Sequence, residues 1–218
     1  MMELSQAQQF SMMLIPGLFA ITLHEVAHGW VASFFGDQTA RLSGRLTINP
    51  IKHIDPVGTV ILPILTFYLT GYIFGYAKPV PVDPRNMSHP RRDMAFTAIA
   101  GPVSNLLMAV FWASIAKLAY SFGEAGNESW AVPLYYMGSF GVQINVVLAV
   151  LNLLPIPPLD GGNVLLNILP RRIAYRFSLI EPYGFIILVL LMISGILTKV
   201  MMPMVIGLII WFRMVFGI

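Results

Sequence analysis

Long apolar stretches decide what this chain can fold into. Residues 94–120 are apolar almost throughout, and comparable stretches occupy 8–35, 132–154, 180–197 and 200–217. A helix needs about 20 such residues to cross the hydrocarbon core of a bilayer, where it must satisfy every backbone N–H and C=O internally. The charged fraction is 11%, about half that of a soluble domain. The sequence therefore predicts an all-α polytopic membrane protein with about five or six transmembrane helices, a single domain over 1–218. The first apolar stretch does not read as a cleavable signal peptide, because it has no basic lead and carries residues suited to chemistry. A net charge of +3 gives no reason to invoke nucleic acid, since the Lys and Arg residues cluster in short loops as they do beside membranes.

The chemistry is concentrated within the first stretch, in His24-Glu25-Val26-Ala27-His28. Two histidines four apart share one helix face. That spacing lets two imidazoles grip one zinc ion, with the adjacent Glu25 placed as general base for the attacking water. Two histidines on a helix are often no more than a hydrogen-bonded pair. Here apolar residues flank them on both sides, and burying Glu25 in such a setting is costly without a purpose. The chain has no cysteine, so thiolate ligation and disulfides are excluded and any metal must rest on His, Asp or Glu.

A catalytic zinc usually has three protein ligands. The position of a third histidine in the extended form of the motif holds Phe34, and the next Glu after Glu25 is Glu124, in an acidic loop. Asp37, Asp55, Asp83 and Asp93 stand in polar loops, where a solvated carboxylate is the default. Asp160 stands among apolar residues before Gly161-Gly162, which would let another helix come close. As a turn residue Asp160 would need no partner. One divalent cation, however, would account for Glu25 and Asp160 together. His53 reads either as a turn residue or as support for the site. Asn152 reads either as a cap on a broken helix or as a ligand for a substrate carbonyl, since a buried amide needs partners.

Between these stretches the loops suggest a topology. Residues 40–48 alternate in a way suited to a small membrane-associated β element, and 78–82 is extended by its prolines. Basic residues gather in 37–55, 78–93 and 171–176, whereas 121–131 holds Glu124 and Glu128. The positive-inside rule puts the three basic loops on the cytoplasmic side, which requires 57–77 to be re-entrant. Its glycines and proline permit that where its backbone is covered by protein.

Three motifs in order, His24 to His28, Ala100-Gly101-Pro102-Val103-Ser104-Asn105 and Asn152-Leu153-Leu154-Pro155-Ile156-Pro157-Pro158-Leu159-Asp160-Gly161, resemble those of the site-2 protease family of intramembrane zinc metalloproteases. The stretches from Gly44 to Pro56 and from Ala77 to Val82 resemble its compact prokaryotic branch, without the PDZ or CBS domains of larger members. The resemblance implies one Zn²⁺ per chain held by His24, His28 and Asp160, Glu25 as base, and Asn152 as an active-site amide. It implies catalytic helices at about 8–35, 94–120 and 132–169, with two more at about 180–197 and 200–217. The implied substrate is a membrane protein cleaved within or beside a transmembrane helix. The implied place is the prokaryotic inner membrane, with the site toward the cytoplasm. Oligomeric state stays open. A divalent-metal transporter, or another metal-binding membrane protein, is the alternative that would use the same residues.

Overall fold

The computed structural model describes residues 6–62, 65, 66, 75–124 and 128–218. Helix α1 spans Gln6–Phe34, and a four-residue turn of helix, α2, covers Thr39–Leu42. After the loops come α3, Pro90–Glu124, and α4, Glu128–Asn152. A break leads to α5, Asp160–Ile168, and α6, Arg171–Ser178. The chain closes with α7, Gly184–Ile193, and α8, Ile196–Phe216. Among the described residues five stretches are long and apolar enough to span a bilayer: Ser11–Phe34, Pro90–Gly123, Trp130–Asn152, Arg171–Ile193 and Ile196–Phe216. No strand occurs among them.

The α3–α4 pair is the spine. Ala109, Ala113 and Ala116 of α3 are fully buried, and a Cβ on Gly138 of α4 would stand 2.8 Å from Ala116 N. Lipid tails are as apolar as the helices, so close backbone approach of this kind, rather than water exclusion, holds membrane helices together. Trp112 packs over Gly141, and Val146, Leu188 and Phe212 join the same buried cluster, bringing α7 and α8 against the spine. Helix α1 lies against α3 and α4.

The break between α4 and α5 falls where Pro155, Pro157 and Pro158 remove backbone donors. A Cβ on Gly161 would strike the carbonyls of Leu153 and Leu154, and one on Gly162 would stand 2.7 Å from Pro157 N. The glycines after Asp160 therefore admit the chain's own preceding loop, not another helix.

The β element expected at 40–48 is absent. Arg45 N–H closes on Ala40 O at 2.9 Å, wrapping the segment into a helical turn. What holds the following extended stretch to 78–82 is a side chain: Arg45 Nη2 donates to Lys78 O at 2.7 Å. Pro79 and Pro81 offer no N–H for a ladder. The middle of the expected re-entrant segment, at 63, 64 and 67–74, lies outside the described residues. Its described ends meet: Tyr76 N–H donates to Gly58 O at 2.9 Å, and Thr59 Oγ1 donates to Tyr76 O at 3.0 Å.

Candidate metal centre

Helix α1 presents His24 and His28 one turn apart, their rings edge to face with centroids 4.7 Å from each other. Helix α3 crosses directly over them at Gly101, where a Cβ would collide with both imidazoles. Glycine here is a condition for the two helices to meet over the rings. The proline break then brings in Asp160, the first residue of α5. Its Oδ2 lies 3.2 Å from His24 Nε2 and 3.4 Å from His28 Nε2, and the two Nε2 atoms are 3.1 Å apart.

The partners on the far side of each ring decide where the protons are. His28 Nδ1 lies 2.7 Å from the carbonyl of Thr97, which can only accept, so Nδ1 carries the hydrogen. His24 Nδ1 lies 2.7 Å from Asn105 Oδ1. That oxygen is identified by the amide's other half, which donates to Ala20 O at 3.1 Å. Both Nε2 atoms therefore turn bare lone pairs inward. They face Asp160 Oδ2, which is buried and receives no hydrogen bond. Three acceptors converge with no proton among them, an arrangement that repels itself unless a cation lies between. Two imidazole nitrogens and a carboxylate oxygen suit zinc.

Glu25 sits beside the three. Its Oε2 accepts from Val80 N–H at 2.9 Å, so the 77–82 segment passes over the acid. All four side chains line one cavity of about 800 Å³, whose remaining walls are largely apolar, including Ile21, Leu148, Leu151 and Phe185. Asn152 also reaches this cavity, with its Nδ2 donating to Leu148 O in its own helix at 3.0 Å. Asn163, one turn beyond Asp160, lines it too. His53 does not. It is buried in the loop, with Nε2 at 2.9 Å from Thr47 O and its carbonyl accepting from Lys78 N at 2.9 Å, so it steadies the 77–82 segment from behind.

The site also draws on Asn105, Asn145 and the Thr97 carbonyl, to which the sequence pattern assigns no role. The signal that singled out Asn152, an amide in apolar helix, applies equally to Asn105 and Asn145. Asp37 and Asp93, expected to be solvated, are fully buried. Asp93 accepts from His89 N–H at 2.8 Å at the start of α3 and pairs with Arg92 at 2.9 Å. Asp37 accepts from Thr39 N at 3.1 Å, Thr39 Oγ1 at 2.5 Å, Asp83 N at 2.7 Å and Asn86 Nδ2 at 2.9 Å, clasping the loop after α1 to the loop before α3.

Two histidines and an aspartate gathered at one largely apolar cavity of a helical membrane bundle define a metal-binding membrane protein. Residues 12–194 match the model of peptidase family M50. Relatives named "Putative zinc metalloprotease" include YwhC of Bacillus subtilis (strain 168), 37% identical over 192 residues, covering 88% of this chain and 84% of the relative. Rip2 of Mycolicibacterium smegmatis is 30% identical over 196 residues, covering 90% of this chain and 72% of its own. No solved structure matches the chain. The chain belongs to peptidase family M50, the site-2 proteases.

Proposed function

We propose that this protein is an intramembrane zinc metalloprotease that hydrolyses peptide bonds within or next to transmembrane segments of membrane-protein substrates. The observation that carries this reading is the meeting of three proton-free acceptors, from His24, His28 and Asp160, beside a second carboxylate, Glu25, that takes no part in the cluster. The names of the relatives support zinc as the ion. Its chemistry, when bound, is to lower the pKa of water toward about 7 and to polarise a carbonyl.

The chain's own residues supply the rest. His24, His28 and Asp160 hold the ion. Glu25 receives the proton of the attacking water and returns it to the leaving amine. Val80 N–H orients that carboxylate. The apolar cavity walls take the side chains of an unwound membrane segment, and Asn152 is the amide for its backbone carbonyl. Helical hydrogen bonds shield a scissile amide, so the substrate must unwind before it is cut. The basic loops support a cytoplasmic placement of the site in an inner membrane.

Glu25→Gln separates chemistry from binding. Purified protein should keep about one zinc per chain, because Glu25 is not a ligand, and lose at least about 10²–10⁴-fold in cleavage of a membrane-anchored reporter. Near-normal turnover would remove Glu25 from the mechanism. A metal transporter would need a succession of donor groups across the membrane. Among the described residues the group of three or more is the one at His24, His28 and Asp160.

A further inference from the structure

Behind His24 two amides continue the hydrogen bonding into the core. Asn105 on α3 and Asn145 on α4 are both fully buried. Asn105 Nδ2 donates to Ala20 O at 3.1 Å and to Asn145 Oδ1 at 3.0 Å. Asn145 Nδ2 donates in turn to Gly141 O at 2.8 Å. Backbone carbonyls only accept, so Gly141 O turns the NH₂ of Asn145 toward itself and leaves Oδ1 to face Asn105. Ala20 O and that Oδ1 together claim both hydrogens of Asn105 Nδ2. The amide oxygen of Asn105 is then left for His24 Nδ1–H.

We propose that Asn105 and Asn145 form a directional relay that fixes the metal-binding face of His24, with Asn145 a positioning residue acting from α4 without touching any ligand. This inference rests on the metal reading given above. The chain of donors runs one way, from His24 to Asn105 to the two carbonyls, and no member can turn over without setting an acceptor against an acceptor. In a low-dielectric interior such a mismatch is far more costly than in water. Helix α4 thereby reinforces the orientation that Ala20 O favours from α1, and with it the choice of which nitrogen of His24 is free to bind. An amide does this without adding a negative charge beside the ligand, unlike the carboxylates that often orient such histidines.

The relay predicts an order of effects and a non-additivity. Zinc affinity is measured by chelator competition on the purified full chain, alongside the unfolding temperature of the zinc-free protein. Asn105→Leu should weaken zinc about 10–100-fold, the usual range for a partner of a ligand, and Asn145→Leu a smaller but clear amount, about 3–10-fold. The double variant should bind no more weakly than Asn105→Leu alone, because Asn145 acts only through Asn105. Where leucine at 145 disturbs packing, Asn145→Ser gives the same reading: its hydroxyl satisfies Gly141 O from within the helix but is too short to reach Asn105. Asn145 variants within about two-fold of wild type would overturn the relay. So would losses that add in the double variant and follow the unfolding temperature, since that marks a purely structural role. Wild-type protein that holds no zinc would instead sink the metal reading itself.

Discussion

Gly101 shows how a single missing methyl group can be a condition for function. In the middle of a helix, alanine in place of glycine is ordinarily favourable by up to about 1 kcal/mol. Here the added carbon would strike His24 and His28. Gly101→Ala should therefore keep its helical circular dichroism while losing about 10-fold or more in zinc affinity. Equal zinc content per chain under chelator challenge would show that the rings can move aside. Residues of this kind divide by how far their partners lie in sequence. His24, Glu25 and His28 were legible because their relation is local, fixed by one turn of helix. Asp160 was legible because an acid in apolar sequence calls for compensation. Gly101 and Asn105 act on residues of another helix, and nothing local in α3 points to α1. His53 was ambiguous for the same reason, and its contacts turned out to be loop carbonyls behind the 77–82 segment.

Among the elements, the clasp at Asp37 connects the loop after α1 to the segment that covers Glu25. It holds Asp83 N–H, while Arg45 holds Lys78 O in the same segment. Burial pushes the Asp37 carboxyl upward, but the donors from Asn86, Thr39 and Asp83 outweigh it and hold the group below the ordinary carboxylate range. Neighbouring Asp83, hydrogen-bonded by Arg85, is drawn down to about 2. A carboxyl with a depressed folded pKa contributes its full stability above the unfolded value of about 3.9. It loses that contribution as the pH falls through the folded value. Thermal unfolding in detergent should therefore show an acid-side loss below about pH 4 that shrinks in Asp37→Asn. At neutral pH, Asp37→Ala should lose about 1–3 kcal/mol by stranding the part-buried donors of Thr39, Asp83 and Asn86. An unchanged unfolding temperature would mean that the loops hold together without it. The helices were readable from apolar length. The loop at 40–48 was not, because alternation over a few residues suits a strand only where a partner offers donors, and Pro79 and Pro81 withhold them.

For the whole molecule, the loop contacts constrain the topology. Residues 37 and 83 are in direct hydrogen-bond contact, and the ends of the 57–77 segment meet at Gly58 and Tyr76. Helix α3 then runs about 50 Å from Pro90 to Glu124. Cysteines introduced one at a time at 41–52 and at 83–92 should label from the same face of the membrane, and those at 121–123 from the other. Labelling of 41–52 and 83–92 from opposite faces would refute the re-entrant reading and the shared cytoplasmic side. The position of the ligands along the chain has a further consequence, for synthesis. His24 and His28 leave the ribosome with the first helix, whereas Asp160 emerges only after α3 and α4. A nascent chain thus carries the two imidazoles without the Asp160 carboxylate until α1, α3 and α4 have been made. The three-residue donor set is therefore complete only once the chain has passed α4, so the order of synthesis itself delays the site's completion.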